Sequence, residues 1–412
     1  MTAAALDNPA LNNPALDIPA KATHERWLAL DLLRFIAVLL MVQGHTFNVV
    51  LSAEERAADW HRYHSFVHGL TAPMFLFGAG LAFGVTTFRN FEQHTRFGPA
   101  TVQRLKRYGW LVLIGYALQM PSLSLLRTLD LPADAVRHAL HIGPLQLIGV
   151  ALAVLELAAI ALRTRGRYVG AVATSGLAIA FGAPLLEQVP IERVLPLAMT
   201  AFLDARTGSL FPLFPWGAYL CAGIVVAHLI WDAQLRAPRR NIALPMALIG
   251  FVLCGVTYTL YRLQLNIYGP HEYWRTDPQF TFFRLGVVLL VLGPLAGLVT
   301  TLQRAARERA SRTAANTALR GLRAAANIGR ESLVIFVGHL LVLYGSPLWR
   351  SLRHHLGGKL DLFDACVMAA ALIAAMVALA HVWTMLRTNR KRPFEVVKLS
   401  LASALFYFAL RP

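Results

Sequence analysis

The chain of 412 residues is 56% hydrophobic and only 15% charged, and its mean hydropathy is +0.51. Soluble domains carry about a quarter charged residues, so this composition excludes an ordinary soluble protein. The net charge of +17 would suit a nucleic-acid-binding protein. However, most of the basic residues fall in alternate loops, which is the positive-inside pattern of membrane proteins. We therefore expect contact with anionic lipid headgroups and no nucleic-acid binding.

Apolar runs of about 20 residues recur along the chain, and each is long enough to cross a bilayer as a helix. They predict an all-α polytopic transmembrane bundle of ten or eleven spans. The charge bias of the loops predicts a cytoplasmic N-terminus, and the bacterial inner membrane is the expected location. The expected spans are 28–50, 66–88, 109–127, 142–162, 168–187, 211–231, 243–263, 281–302, 331–349, 363–386 and 395–410.

Four regions follow from the sequence pattern. Residues 1–25 contain an Asn-Pro repeat and are expected to form a disordered cytoplasmic tail. Residues 26–302 form the expected core of about eight spans. Residues 303–330 are rich in Arg and Ala, which predicts a helical cytoplasmic linker at the membrane surface, and residues 331–412 form the terminal helices. The three cysteines have no metal-ligand spacing, so no metal is expected.

The first span contains Asp31, Arg34 and His45. Eleven residues make three helical turns plus about 20°, so Arg34 and His45 share a face and lie about 16 Å apart. Charged residues inside a span are costly and usually face protein or a water-filled cavity. This stripe predicts a buried site in which Arg34 neutralises an anionic ligand and His45 acts as a base. The alternative is a structural Asp31–Arg34 pair with a hydrogen-bonded core histidine.

Two histidines, His64 and His68, lie where the second span opens and are one helical turn apart. They lie at the same end of the bundle as His45, so the three can converge there. Metal binding would need other ligands at suitable spacing, and the sequence shows none.

Two later segments also carry polar side chains. His271, Tyr273 and Trp274 can form the wall of a pocket, or alternatively an aromatic belt at the membrane interface. Arg330 marks a basic inner edge, and His339 lies about 12 Å deeper along the helix. His339 can line a passage or be a core histidine.

Five segments together resemble the integral-membrane acyltransferase superfamily, which includes the heparan-α-glucosaminide N-acetyltransferase-like proteins and acyltransferase family 3. Each segment is moderately specific alone, and they occur in the family's order. The late helix departs from the family pattern because Glu331 stands where the family has Asn, and Phe35 stands where the family has Gly. The segments are LDLLR followed after ten residues by His45, HSFVHGLTAP, LQLIGVALAVLEL, FPLFPWGAYLCAG and GRESLVIFVGH.

The resemblance implies that an acyl group, often acetyl, moves from cytoplasmic acyl-CoA to a hydroxyl or amine of a sugar or glycan across the bilayer. The donor is a substrate, and a homodimer is possible. His64 matches the catalytic histidine of the heparan branch, His45 the motif histidine of family 3, and Arg34 the shared arginine. The rival hypotheses are a transporter or flippase for a sugar or lipid-linked anion, and a non-catalytic scaffold.

The expected site residues fall into three groups. The catalytic candidates are His64, His45 and His68; the donor-binding candidates are Arg34, Asp31, Arg330 and His339; the acceptor-pocket candidates are His271, Tyr273 and Trp274.

Overall fold

The computed structural model of the protein shows an all-α bundle, as expected. Within the part of the chain that the structure describes there is no β-strand, and a single β-bridge joins Leu51 to Leu360. The expected tail at 1–25 and nearly all of the expected last span at 395–410 lie outside the described residues. Those are residues 27–120, 124, 130, 132–236, 241–265, 267–308, 312–345, 350–389 and 403.

The helices are numbered in chain order. Those before residue 200 are α1 (Leu28–Val50), α2 (Ala53–Ala57), α3 (Asp59–His68), α4 (Thr71–Arg89), α5 (Phe91–His94), α6 (Pro99–Gln119), α7 (Ala133–Ala139), α8 (Pro144–Leu162), α9 (Arg165–Glu187) and α10 (Leu197–Leu203). The later ones are α11 (Leu213–Arg236), α12 (Ala243–Arg262), α13 (Tyr273–Thr276), α14 (Pro278–Ala305), α15 (Arg312–Arg330), α16 (Ser332–Tyr344), α17 (Leu352–Leu356) and α18 (Leu362–Asn389).

Eight helical segments in the described ranges are long and apolar enough to cross a membrane: α1, α3 with α4, α8, α9, α11, α12, α14 and α18. Helices α15 and α16 meet at a bend of 60° and add a ninth if they form one broken span. The expected span at 109–127 corresponds only in part to α6, whose first half is basic and which is not among the eight. Eight of the expected spans, or nine with the bent pair, therefore have a counterpart in the described ranges, and the one at 395–410 lies almost entirely outside them.

Helix α1 lies between two hydrophobic cores. Leu33 and Ala37 belong to the larger core, which α1 shares with α4, α8, α9, α11 and α14. Val38 and Val42 belong to a smaller core formed with α16 and α18. Because two faces of α1 are covered by apolar neighbours, its polar residues face other helices rather than lipid.

Helices α4 and α11 touch through glycines. A Cβ built on Gly80 would lie 2.0 Å from the Leu220 carbonyl oxygen, and one on Gly223 would lie 2.2 Å from that of Phe77. Only glycine permits such an approach of two membrane helices. Helix α11 begins irregularly at Phe214, which has non-helical angles.

One end of the bundle gathers the loops that matter for the site. The segment before α11 contacts the start of α8, since the Phe211 amide donates to the Ile142 carbonyl over 3.0 Å. The end of α9 contacts α13, just before α14, because the Thr276 hydroxyl donates to Glu187 Oε2 over 2.5 Å. Phe66 of α3 also packs against the first turn of α14. We call this end, where α1 finishes, the histidine end, and the opposite one the basic end.

Candidate active site

Helix α3 carries three histidines on one face. His61, His64 and His68 are spaced by three and four residues, so they follow one side of the helix. This side is partly buried against α1, whereas Tyr63 on the other side is 77% exposed. The amphipathic pattern therefore turns three imidazoles towards the second half of α1.

Five imidazole rings form a continuous row. Ring centroids are 5.7 Å apart for His61 and His64, and 6.2 Å apart for His64 and His68. The row continues from His68 to His45 over 5.3 Å, and from His45 to His339 over 5.2 Å. The three expected catalytic histidines thus lie together, and His61 and His339 extend the row. No group of three His, Cys, Asp or Glu side chains in the described ranges is arranged to hold a metal ion.

Gly44 makes room for the centre of the row. A Cβ at this position would lie 1.9 Å from Nδ1 of His68. The ring therefore lies directly against the backbone of α1, where its Nδ1 is 3.4 Å from the Leu40 carbonyl oxygen. A larger residue at 44 would displace the ring.

Gln43 contacts the ring of His64. The His64 Nε2 lies 3.0 Å from the Gln43 Oε1, and a carbonyl oxygen can only accept a hydrogen bond. In the tautomer in which Nε2 donates this bond, the lone pair is on Nδ1. A general base needs such a lone pair. Sequence reasoning missed Gln43, because a contact across 21 residues gives no spacing signal.

Four ring nitrogens in the row are buried and have no hydrogen-bond partner among the described residues. Leaving one buried polar atom unsatisfied costs roughly 1–3 kcal/mol. Four such atoms in one row indicate a place that water or a substrate occupies, since buried polar groups are normally paired. The atoms are His45 Nδ1, His61 Nε2, His64 Nδ1 and His339 Nε2.

His339 lies beside His45 and far from Arg330, its expected companion in donor binding. The His339 side chain is fully buried, and its Nδ1 is bonded to the Ile335 carbonyl oxygen over 2.8 Å. Arg330 is exposed at the end of α15 and donates to Asn327 Oδ1 over 3.1 Å. The bend between α15 and α16 separates the two residues.

Glu331 occupies the bend itself. Its side chain is buried and forms an ion pair with Arg387 of α18. The residue at which the chain departs from the family pattern therefore ties α18 to the corner between α15 and α16.

Arg34 and Asp31 form the expected pair. The Arg34 Nη1 lies 3.4 Å from the Asp31 Oδ1, and its Nη2 donates to the Gly78 carbonyl oxygen over 3.3 Å. The pair thus connects α1 to α4. A quarter of the Arg34 side chain is exposed. The guanidinium therefore connects two helices and can still be reached from outside the bundle.

The acceptor-pocket candidates lie at the histidine end. His271 is 3% exposed and bonds to the Gly269 carbonyl oxygen over 2.9 Å and to Asp277 Oδ2 over 2.8 Å. Burial opposes protonation of this ring, but the two acceptors outweigh it and raise the His271 pKa. Trp274 is 58% exposed and packs edge-on against Phe280. His271 therefore secures the loop, and the aromatic residues form its outer surface.

Residues 26–268 match the family described as heparan-alpha-glucosaminide N-acetyltransferase, catalytic. This range covers more than half of the chain. The chain belongs to this family. A comparison with curated proteins gives no match. Family membership and the apolar helices identify an integral membrane acetyltransferase of a glycan-modifying type.

The match to the acetyltransferase family includes α1 and α3 but ends before α14, so it covers four of the five histidines of the row. His339 reaches the row from α16, outside the matched range. Its ring is the fifth of the row and lies next to that of His45.

A second buried polar cluster lies towards the basic end of this acetyltransferase. Glu156 of α8 is fully buried. Its Oε2 lies 2.9 Å from the His94 Nδ1, and its Oε1 accepts from Arg104 Nε over 2.8 Å. Sequence reasoning did not single out these three residues, because an isolated glutamate in an apolar helix gives no hint of partners 52 and 62 residues away.

Proposed function

We propose that the protein transfers an acetyl group from cytoplasmic acetyl-CoA to a hydroxyl or amine of a sugar at the other face of the membrane. His64 is the general base. The observation that carries this proposal is the Nδ1 of His64, which is buried and lacks a partner among the described residues, while the Nε2 of the same ring lies 3.0 Å from Gln43 Oε1. Family membership supplies the acetyl group and the glycan.

The histidine row can account for every proton that moves in the proposed reaction. His64 Nδ1 takes the proton of the attacking hydroxyl or amine while its oxygen or nitrogen bonds to the thioester carbonyl carbon. The carbon–sulfur bond then breaks, and the thiolate receives a proton through the neighbouring imidazoles to give the free thiol. His68 and His45 stand next in the row and can pass this proton on. An acetyl-histidine intermediate on His64 or His45 is the alternative route.

The donor is proposed to enter from the basic end. Arg34 lies about 16 Å from His45 along α1, a separation that an extended pantetheine arm can bridge. In this arrangement Asp31 orients the Arg34 guanidinium. Exposed Arg330 offers charge to the phosphates at the surface, and His339 lies near the thioester. A planar guanidinium suits phosphate recognition better than an ammonium, so Arg34→Lys should restore only part of what Arg34→Ala loses.

The acceptor is proposed to enter at the histidine end. The loop with His271, Tyr273 and Trp274 flanks the opening there. Its aromatic surface is partly exposed, which suits contact with a sugar ring.

Purified protein in detergent tests the proposed reaction. We expect the label of radioactive acetyl-CoA to appear on methyl glucosaminide or on a hydroxyl-bearing sugar of a small panel. Mass analysis of cell-surface glycans with and without the protein should show the same acetylation. Absence of transfer, together with sugar uptake into vesicles containing the protein, would instead favour the transporter.

Cysteine labelling tests the proposed orientation. In a background without the native cysteines, Ser52→Cys should react with an impermeant maleimide from outside and Ser311→Cys only after the membrane is opened. Labelling of Ser311→Cys in sealed cells would overturn a cytoplasmic linker at 303–330.

A further inference from the structure

Arg284 is a partly buried cation near the start of the apolar helix α14. Its guanidinium forms no ion pair with a carboxylate and no hydrogen bond of normal geometry within the part of the chain that the structure describes. A charged side chain inside a membrane span is costly and is normally paired. An arginine that lacks an acidic partner at this depth indicates that another group accepts its hydrogen bonds.

Two aromatic rings hold the guanidinium in place. The Arg284 Cζ lies 3.9 Å from the centroid of the Phe280 ring and 5.5 Å from that of the Trp216 ring. The faces of both rings attract a positive charge. However, a ring face offers no lone pair comparable to that of an oxygen, so the N–H groups of the guanidinium stay available as donors.

The hydroxyl of Tyr219 lies beside this guanidinium. Tyr219 is 1% exposed, and its hydroxyl forms no hydrogen bond of normal geometry among the described residues. A buried tyrosine hydroxyl usually finds a partner. A cation and a hydroxyl thus meet without a carboxylate, and together they suit an oxygen atom that carries negative charge.

The pair lies close to the histidine row. A Cβ at Gly69, directly after His68, would lie 3.8 Å from the Arg284 Nη2. Since consecutive Cα atoms are about 3.8 Å apart, this nitrogen is within about 9 Å of the His68 Cα. Ser65 lies between the directions of His68 and Gly69 around α3, and it is exposed. The space between the row and the guanidinium is therefore open on this side of α3.

We propose that Arg284 and Tyr219 hold the carbonyl oxygen of the thioester and stabilise the negative charge that this oxygen gains. When the attacking atom bonds to the carbonyl carbon, the π electrons of the carbonyl move to the oxygen. They return when the carbon–sulfur bond breaks and the thiolate leaves. Arg284 stays protonated throughout and donates hydrogen bonds that strengthen as the charge develops.

The separation of the groups fits this assignment. A base, the attacking atom, the carbonyl group and an oxyanion donor follow one another over two hydrogen bonds of about 3 Å each and the bonds between them. This inference rests on the proposed acetyl transfer and adds a catalytic residue from α14. The match to the acetyltransferase family ends at residue 268 and does not include this helix.

Steady-state kinetics of the purified protein with acetyl-CoA and methyl glucosaminide test the proposal. Loss of one oxyanion donor costs about 10²–10³-fold in kcat, so we expect a loss of this size in Arg284→Gln with both KM values nearly unchanged. Arg284→Lys should recover part of the rate, because it keeps the charge but loses the planar fork. Tyr219→Phe removes only the hydroxyl and should lower kcat by a smaller factor.

Thermal unfolding of the same variants separates catalysis from a structural role. A charge without an acidic partner does not stabilise the helix around it. We therefore expect Arg284→Gln to unfold at the wild-type temperature or above it. Arg262→Gln is the matched control, because the Arg262 Cζ also lies over a ring, 6.0 Å from the centroid of Tyr258, but its side chain is exposed on α12. This control should keep the wild-type kcat.

The outcomes separate the two proposals. Absence of transfer by the wild type rejects the proposed function and this inference with it. Transfer by the wild type together with a normal kcat in folded Arg284→Gln rejects the oxyanion role alone. A raised KM for the acceptor at unchanged kcat also rejects it and makes Arg284 a binding residue for the acceptor. If Arg284→Gln unfolds, a normal kcat in Tyr219→Phe rejects the role, and a lowered kcat at unchanged KM supports it.

Discussion

Two buried polar clusters of this protein both contain histidine but differ in how many of their polar atoms have hydrogen-bond partners. Towards the basic end, Glu156 is paired with both His94 and Arg104, so each of its carboxylate oxygens has a partner. At the histidine end, four ring nitrogens of the row have none among the described residues, and no carboxylate is bonded to the row. The carboxylate of the first cluster is fully paired within the protein, whereas the second leaves four ring nitrogens without a protein partner among the described residues.

Under the proposed function, this difference separates structural from reactive histidines. A buried group with all its hydrogen bonds contributes to holding helices together. Unsatisfied groups cost stability, and a fold keeps them where they act on a substrate. His94 joins α5 to α8, and His271 secures a loop through Asp277. His64 instead bonds to Gln43 through Nε2 and has no partner at Nδ1 among the described residues, which is the arrangement the proposed base requires.

The largest expected effect comes from His64→Ala. Removal of a general base costs about 10²–10⁴-fold in rate, and the stability should fall by only about 1 kcal/mol, because the one hydrogen bond described for His64 is that between Nε2 and Gln43. Transfer assays and thermal-shift measurements on the purified variant give the two values. His94→Ala is the matched control and should show the reverse: loss of stability with near-normal turnover of the folded fraction. If His64→Ala retains near-normal turnover, His45 becomes the leading base.

The second largest effect is a loss of stability in Glu156→Gln. The amide removes the charge that compensates Arg104, and breaking a buried pair typically costs about 3–5 kcal/mol. The shift in the unfolding transition measures this loss, and the remaining folded protein should transfer acetyl normally. Glu272→Gln serves as control, because its pair with Arg275 spans 3.5 Å between largely exposed side chains and should contribute about 1 kcal/mol or less. A large drop in activity at unchanged stability would mean that the Glu156 cluster belongs to the reaction.

How far the sequence predicts the fold depends on whether a feature involves residues that are near or far apart in the sequence. The all-α bundle follows from apolar runs, which are local, and so does the shared face of His64 and His68. The Asp31–Arg34 pair lies within one turn and was also predictable. The expected span at 109–127 has only a partial counterpart, since the first half of α6 is basic and most of residues 121–127 lie outside the described residues.

The complete site was less predictable, because its remaining contacts are long-range. Gln43 meets His64 through the packing of α3 on α1. His339 reaches His45 only because α15 and α16 bend by 60° at Glu331. The space for His68 exists because residue 44 is glycine, and no periodic pattern marks such a position.

A smaller effect is expected from Gly44→Ala, which tests whether the row must be continuous. The new Cβ would overlap the His68 ring but no backbone atom among its nearest contacts, so the ring can turn away and the fold remains. We expect about a tenfold lower rate, and a stability change within about 1 kcal/mol, since alanine favours a helix over glycine by about that amount. Gly255→Ala in α12 is the control, because a Cβ there meets nothing within 4 Å. A full rate in Gly44→Ala would show that His64 works without its neighbour.

The smallest expected effect concerns His271, which belongs with the satisfied histidines although it lies at the histidine end. Its raised pKa means that the protonated ring is favoured in the folded state. The stability that this ring contributes is complete below its unfolded pKa of about 6.5 and is lost as the pH rises through the higher folded value. We therefore expect His271→Asn to lower the free energy of unfolding most at pH 6, by on the order of 1 kcal/mol. The loss should become progressively smaller towards pH 9. Thermal unfolding of the two proteins across this range measures the difference, with His354→Asn as the control because His354 is exposed on α17.

The rate of acetyl transfer should change little at any pH in His271→Asn, since the ring nitrogens of His271 are both bonded to protein acceptors. A rate loss comparable to that of His64→Ala would place His271 with the reactive histidines and remove the distinction between the two kinds of cluster.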